Sequence, residues 1–217
     1  MAHITDLIFN NMLLRIHPEN PEVRKIRMVA EALSGGGIII YPTDTVYGVG
    51  CDIYENGSVG KIYRIKGLKP EKSNLSILCY DLSQLSDFAK PIDTPLYRVM
   101  RKALPGPFTF ILKANSNVPK LFKSRKKTVG IRVPNNRICR EIVKELGHPI
   151  VSTSIHSEDQ VIDYITDPEI IHEKYKSRVD MVIDGGFGGN TPSTVIDCSG
   201  GDFVIKRQGL GNLEDYL

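Results

Sequence analysis

The sequence predicts an α/β fold in which one mixed β-sheet is flanked by helices. Short apolar runs alternate with helical stretches, and several runs are apolar at both odd and even positions, as in strands covered on both faces. The last runs follow one another without a helix between them, which indicates a mixed rather than a purely parallel sheet. The predicted strands cover residues 37–41, 49–53, 75–79, 107–113, 129–133, 149–154, 179–184, 193–197 and 203–207.

Helices fit between several of these strands. In the first, Asn20 is the expected N-cap, Pro21 lies in the first turn, and the glycines at 35–37 end the helix. Further helices are predicted at 59–66, from Asp93 or Thr94, at 137–146, and after Asp167. Residues 1–19 are expected to form an ordered arm or a short strand. Because no repeat or linker divides the chain, residues 1–217 are predicted to form a single domain with its core at about 20–209.

Composition narrows the class of protein. The 217 residues carry a net charge of +3, and no apolar run approaches the roughly 20 residues that a membrane-spanning helix needs. The N-terminus lacks a signal-peptide pattern. Four separated cysteines (Cys51, Cys79, Cys139 and Cys198) include no C-x-x-C pair, so we expect buried, reduced thiols in a cytoplasmic protein and no metal site. Basic residues cluster at 61–72 and 120–140, which favours a polyanionic ligand, either nucleotide or RNA.

Hydroxyl and basic residues recur where predicted strands end. The segment 41–52 (YPTDTVYGVGCD) brings Thr43 to a strand end, where ligands often bind in α/β sheets, although it is neither a P-loop nor a dinucleotide-binding fingerprint and could be a plain turn. Lys66 and Lys69 follow a helix and could either complement its dipole or reach phosphate oxygens. Arg132 interrupts an apolar strand, so it needs an anionic partner from the protein or from a ligand.

Two later segments add hydroxyl groups. Ser152, Ser154 and His156 lie at the end of the strand 149–154 and could bind an anion or simply form a capping turn. Ser193 begins one strand and Arg207 ends the next, so the two would be neighbours if these strands form a hairpin.

Taken in order, these segments resemble the YrdC/YciO family over about residues 35–209. The resemblance is carried by YPTDTVYGVG, the Lys66 loop, PGPFTFIL at 105–112, VGIRVP, VSTS and STVID with Arg207 beyond it. It implies a twisted mixed sheet around a large basic cavity. It also implies the family reaction, in which threonine, bicarbonate and ATP give threonylcarbamoyl-adenylate and pyrophosphate for tRNA modification.

The resemblance implies a role for each matching residue. Thr43, Arg132, Ser152 and Ser193 are expected to bind threonine. Lys66, Lys69, Thr128, Ser154, His156 and Arg207 are expected at the nucleotide, and Lys66, Lys69 and Arg207 would offset phosphate charge during catalysis. A magnesium ion can accompany the triphosphate, but no carboxylate cluster indicates a protein-only metal site.

Two departures from the family pattern place the chain nearest the YciO branch. The K-x-R-P motif becomes Lys66-Gly67-Leu68-Lys69-Pro70, in which Lys69 replaces the arginine only if one residue is inserted. The S-x-N motif becomes Ser154-Ile155-His156. Lysine lacks the bidentate fork of arginine, and the charge of histidine varies near neutral pH. The departures put efficient synthesis in doubt, but not nucleotide binding.

Two other functions therefore stay open. One is binding of tRNA or another double-stranded RNA, which would be strongly dependent on salt and indifferent to nucleotide. The other is hydrolysis of threonylcarbamoyl-adenylate in the same cleft, distinguished by whether Lys69 and His156 support formation of the adenylate or only its breakdown. No membrane partner is expected, and the sequence does not specify an oligomeric state.

Overall fold

The computed structural model describes residues 11–67, 75–119, 127–155 and 164–217. Every strand in these ranges belongs to one ten-stranded sheet, in which the order is β1-β8-β2-β3-β7-β4-β6-β5-β9-β10. The strands are β1 (Met12–Arg15), β2 (Ile39–Tyr41), β3 (Gly48–Asp52), β4 (Ser76–Leu78), β5 (Phe108–Lys113), β6 (Thr128–Arg132), β7 (Ile150–Ser154), β8 (Met181–Asp184), β9 (Thr194–Asp197) and β10 (Val204–Arg207).

The pairing is mixed, as the sequence predicts. Strand β8 runs parallel to β1 and β2, whereas β7 runs antiparallel to β3 and β4. Strands β9 and β10 form the predicted antiparallel hairpin. All nine predicted strands are present within about two residues of their expected bounds, and β1 is the short strand that the N-terminal arm allowed.

Six α-helices flank the sheet within the described residues. They are α1 (Val23–Ser34), α2 (Asn56–Ile65), α3 (Leu85–Phe88), α4 (Thr94–Ala103), α5 (Arg137–Leu146) and α6 (Pro168–Tyr175). Asp93 and Asp167 cap α4 and α6 by accepting hydrogen bonds from Leu96 N and Glu169 N, so the predicted starts of both helices are confirmed. Asn20 as the cap of α1 was wrong: Glu22 occupies that position without a capping bond, and its carboxylate instead pairs with Lys25 at 2.6 Å.

Two apolar layers cover opposite faces of the sheet. Helices α1 and α5 pack on one face, where Ile39, Tyr41, Leu78 and Ile150 are buried. The larger core, built around Phe108, Phe110 and the apolar residues of α2 and α4, covers the other face. The core also reaches beyond the predicted limits of 20–209, because Ile16 and Leu213 are both buried.

None of the helices in the described residues combines the length and the apolar character that a bilayer-spanning helix requires. The four cysteines are buried and free of disulfide bonds. Burial raises the pKa of the Cys51 thiol to about 12, so this cysteine is a packing residue rather than a nucleophile.

Candidate functional site

The middle of the sheet presents a row of very small side chains. Gly50, Ser152, Ser76 and Gly130 are paired directly across the neighbouring strands β3, β7, β4 and β6, so they lie on one face. Leu78 and Ile150 are two residues away from Ser76 and Ser152 on the same strands, so they lie on the same face. Helices α1 and α5 cover the sheet at these two residues. Beyond the helices, Ser76, Thr128 and Ser154 are only half-buried. We therefore infer that the row, which is half-buried at Ser76, forms the floor of a cleft beside the two helices.

Small size is required along this floor. A Cβ at Gly130 would lie 3.1 Å from the Cβ of Ser76 and 3.3 Å from a methyl carbon of Thr109, so a larger residue would crowd both neighbours. At its other end the floor is bounded by Tyr41, whose buried hydroxyl donates to Ser152 Oγ at 2.6 Å. The floor thus offers hydroxyl groups, and its glycines are required by close packing against Tyr41, Ser76 and Thr109.

Arg132 lies at the end of β6 and meets the turn that follows β2. Its Nη2 atom donates to Thr43 Oγ1 at 3.1 Å, to Asp44 Oδ1 at 2.7 Å and to Thr45 Oγ1 at 2.6 Å. The side chains of Arg132 and Asp44 are 9% and 10% exposed. The sequence-based expectation that Arg132 needs an anionic partner is therefore confirmed, and the protein itself supplies one.

This ion pair is incomplete. Within the described residues, Arg132 Nε and Asp44 Oδ2 are buried and have no hydrogen-bond partner. Buried charged atoms without partners are rare in native structures because their lost hydration is not replaced. The Arg132–Asp44 pair is therefore the polar feature of this site that most needs an explanation.

A second group of contacts ties the C-terminal hairpin to the same floor. Ser193 Oγ and Thr109 Oγ1 share a hydrogen bond of 3.0 Å, and both residues are buried. The guanidinium of Arg207 donates through Nε and Nη2 to the Ser193 carbonyl at 3.1 and 2.8 Å. Since Thr109 also borders Gly130, the hairpin adds a hydroxyl and a positive charge beside the floor.

Lys66 supplies positive charge next to β7. It directly follows α2, and its ammonium donates to the Ser154 carbonyl at 2.7 Å. Burial lowers the pKa of the Lys66 ammonium to about 8. An ammonium group has three donors, so Lys66 could keep the Ser154 bond and still contact an anion in the cleft.

A glycine-rich loop at 185–189 lies against the turn that carries Asp44. Gly189 N donates to the Thr45 carbonyl at 2.7 Å, and Tyr47 Oη donates to the Gly186 carbonyl at 2.7 Å. The approach is too close for a side chain, because a Cβ at Gly189 would lie 2.4 Å from the Thr45 carbonyl oxygen. The loop thus packs directly against the turn that carries Asp44.

Substitution of Gly189 by alanine is expected to lower the free energy of unfolding by about 1–3 kcal/mol, because the new methyl group must push the loop away from Thr45. Gly200 is the matched control, since nothing lies within 4 Å of a Cβ built there. Urea denaturation of both variants measures the difference. Equal stability of Gly189→Ala and Gly200→Ala would show that the loop does not press on the turn.

The structure places most of the predicted site residues around this cleft. Thr43 and Arg132 are in direct contact, as are Ser193 and Arg207, and as are Lys66 and the backbone of Ser154. Ser152 and Thr128 lie on strands of the floor. Lys69 and His156 fall outside the described residues.

Several residues of the site were not assigned from the sequence. Tyr41, Asp44, Thr45 and Thr109 contact predicted site residues, but none of them was given a role. Asp44 could have been predicted from the sequence. It is an acidic residue in the motif that also contains Thr43, and the position of Arg132 predicts an anionic partner. Thr109 lies within an apolar strand, where one hydroxyl is an ordinary occurrence.

Another hollow of about 460 Å³ lies near the opposite ends of β3 and β7. The described residues that line it include Tyr54, Asp87 and His148, and none of the described ones is a lysine or an arginine. Among the described residues, the positive charge available to a polyphosphate therefore lies in the cleft, at Lys66 and Arg207, and not in the described lining of this hollow.

The sequence and structure match known proteins over most of this chain. The Sua5/YciO/YrdC family profile, described as "Telomere recombination", matches residues 31–209. The chain is 38% identical to the uncharacterized protein YciO of Escherichia coli K12 over 203 residues, covering 93% of this chain and 97% of YciO. It is 28% identical to the threonylcarbamoyl-AMP synthase of Methylobacillus flagellatus, over 83% of this chain and 98% of that protein.

The solved structures agree in fold. The crystal structure of E. coli YciO matches with a TM-score of 0.88 and 37% identity, covering 95% of this chain and 99% of that chain. The crystal structure of P. abyssi Sua5 complexed with L-threonine matches with a TM-score of 0.85 and 28% identity, covering 94% of this chain and 59% of that chain. With its mixed sheet and small-residue cleft, the chain belongs to the Sua5/YciO/YrdC family, which includes threonylcarbamoyl-AMP synthases.

Proposed function

We propose that this protein forms threonylcarbamoyl-adenylate from L-threonine, bicarbonate and ATP. The observation that carries the proposal is the convergence of two contact groups on one floor of small residues. Thr43 and Arg132 meet on one side, and Ser193 and Arg207 meet on the other. Relatives named threonylcarbamoyl-AMP synthase and a Sua5 structure complexed with L-threonine support the choice of reaction.

The proposed chemistry needs no protein nucleophile. The threonine ammonium first loses a proton to solvent, and bicarbonate loses hydroxide to give carbon dioxide. The neutral amine then bonds to the carbon of carbon dioxide, and the proton that it releases joins the hydroxide as water, which leaves a carbamate. A carbamate oxygen then bonds to the α-phosphorus of ATP while the bond to the bridging oxygen of the β-phosphate breaks, and pyrophosphate leaves. Catalysis would consist of positioning the reactants and stabilising the phosphate charge.

Each residue contributes to one of these tasks. Thr43, Arg132 and Ser193 orient threonine, with Ser152 in the floor beneath it. Lys66 and Arg207 offset the charge of the phosphates, and Ser154 and Thr128 lie beside the nucleotide. Lys69 and His156 keep their proposed places at the nucleotide from the sequence alone.

Magnesium is not assigned to protein ligands. Within the described part of the chain, no three histidine, cysteine, aspartate or glutamate side chains gather to hold a metal ion. The described residues therefore do not fit a magnesium ion held by the protein alone.

The test is incubation of the purified protein with labelled threonine, bicarbonate and ATP, followed by chromatography and a pyrophosphate assay. Adenylate and pyrophosphate are expected in equal amounts, and both should require all three substrates. Neither product, together with no calorimetric response to threonine or ATP, would refute the proposal. Breakdown of added threonylcarbamoyl-adenylate without synthesis would indicate the hydrolase, and salt-dependent RNA binding that ATP does not affect would indicate the RNA-binding protein.

A further inference from the structure

The turn between β2 and β3 places a carboxylate next to the arginine that is proposed to bind the substrate carboxylate. Asp44 Oδ1 lies 2.7 Å from Arg132 Nη2, and both side chains are about nine-tenths buried. The family resemblance implies roles for Thr43 and Arg132 but none for Asp44. Its place in the site therefore needs its own explanation.

Arg132 and Asp44 form one of the two hydrogen bonds that an arginine and a carboxylate can form, and the second bond is absent. An arginine and a carboxylate commonly form two parallel hydrogen bonds that use both oxygens. Here Nη2 is shared among Thr43, Asp44 and Thr45, while Nε of Arg132 and Oδ2 of Asp44 have no partner in the described residues. The site thus keeps one charged donor and one charged acceptor unused.

These two unused atoms define the chemistry of a ligand that would satisfy both. The free Nε favours an anionic acceptor, and the free Oδ2 favours a cationic donor, because charge-assisted hydrogen bonds are the stronger ones. An α-amino acid carries both groups on one carbon atom. A phosphate group would satisfy Nε but would be repelled by the Asp44 carboxylate, and a simple amine would satisfy only Oδ2.

We propose that Asp44 binds the ammonium group of the amino-acid substrate while Arg132 Nε binds its carboxylate, so that Asp44 selects for amino acids over other carboxylic acids. This inference rests on the proposed threonine-binding function. The turn also explains why Asp44 stays in place: Thr43 Oγ1 accepts from Thr45 N at 3.1 Å and donates to the Val46 carbonyl at 2.7 Å.

Entry of the substrate requires a local movement. Both unused atoms are buried, so something that covers them must shift before a ligand can reach them. The glycine-rich loop at 185–189 contacts Thr45 through Gly189 N and Pro42 through the close approach of Gly185. The loop therefore lies against the turn on both sides of Asp44, and its displacement would loosen that turn.

The test compares two ligands on two proteins. L-threonine and 3-hydroxybutyrate, which lacks the ammonium group, are titrated calorimetrically into the wild-type protein and into Asp44→Asn. The wild type is expected to bind threonine on the order of tenfold more tightly than 3-hydroxybutyrate, and Asp44→Asn is expected to lose most of that preference by binding threonine more weakly. Asp87→Asn, which changes an exposed carboxylate away from the site, should keep the full preference.

The outcomes separate this inference from the proposed function. If the wild type does not bind threonine at all, the proposed function fails and the inference fails with it. If the wild type prefers threonine and Asp44→Asn keeps the same preference, or weakens both ligands equally, Asp44 does not bind the ammonium group although the function stands. Thermal unfolding checks that the variants are folded, and Asp44→Ser provides a second uncharged variant with an oxygen for Arg132.

Discussion

Replacing Arg132 with alanine is expected to abolish threonine binding and to lower the free energy of unfolding by about 3–5 kcal/mol, because the Asp44 carboxylate would be left buried without its cation. Thr43 and Thr45 would lose the same donor. Urea denaturation measures the loss of stability, and calorimetric titration with threonine measures the loss of binding. This is the largest combined effect that we expect from a single substitution in the chain.

Two further variants separate charge from geometry. Arg132→Lys keeps the positive charge but loses the fork that can contact a carboxylate and Asp44 together, so it should recover part of the stability but little threonine binding. The double variant Arg132→Ala with Asp44→Ala removes both buried charges and should be more stable than Arg132→Ala alone.

A surface arginine provides the control. Arg15 also contacts two carboxylates, Glu169 and Asp184, but its side chain is 71% exposed. Arg15→Ala should therefore change stability by less than about 1 kcal/mol and leave threonine binding unchanged. If Arg132→Ala were as mild as Arg15→Ala, the buried ion pair would not be the centre of the site.

The strands could be predicted from the sequence because their signal is local. Each run of apolar residues such as GIIIY at 37–41 identifies a buried strand by itself. The order of the strands could not be predicted in the same way. Strand β7 lies between β3 and β4, and its pairing with β3 joins residues about a hundred positions apart, such as Gly48 and Ser154.

In the site, too, the sequence predicts features that depend on neighbouring residues but not contacts between distant parts of the chain. A lone arginine in an apolar strand predicts that an anion is near, because burying an unpaired charge is costly. It does not say which anion, and Asp44 lies 88 positions away in the chain. The cap of α1 was wrong although Asn20 has a favourable side chain: the helix begins two residues later, with Glu22 as the cap residue and its carboxylate paired with Lys25.

Lys66 is expected to give stability and nucleotide binding opposite dependences on pH. Burial lowers the pKa of its ammonium from 10.5 to about 8. Between pH 8 and 10.5 the unfolded chain therefore holds a proton that the folded chain has released, so the contribution of Lys66 to the free energy of unfolding rises with pH across this window. The affinity for ATP should fall as pH rises above about 8, because the neutral amine no longer attracts phosphate.

Lys66→Met should remove both dependences at once. At pH 7.5 it is expected to weaken ATP binding by about tenfold to a hundredfold, the cost of one charge-assisted contact to phosphate. Lys61→Met is the matched control, since Lys61 is exposed on α2 and contacts none of the floor residues named above. Titrations with ATP and urea denaturation at pH 7.5 and 9.5 measure the two quantities in all three proteins.

The free energy of unfolding and the affinity for ATP are expected to change in opposite directions as pH rises, which distinguishes deprotonation of Lys66 from other effects of pH. A general loss of fold at high pH would lower stability and ATP affinity together, whereas deprotonation of Lys66 raises the first and lowers the second. If wild type and Lys66→Met showed the same pH dependence of ATP binding, Lys66 would not contact the phosphates. Its bond to the Ser154 carbonyl would then be a purely structural link between the end of α2 and β7.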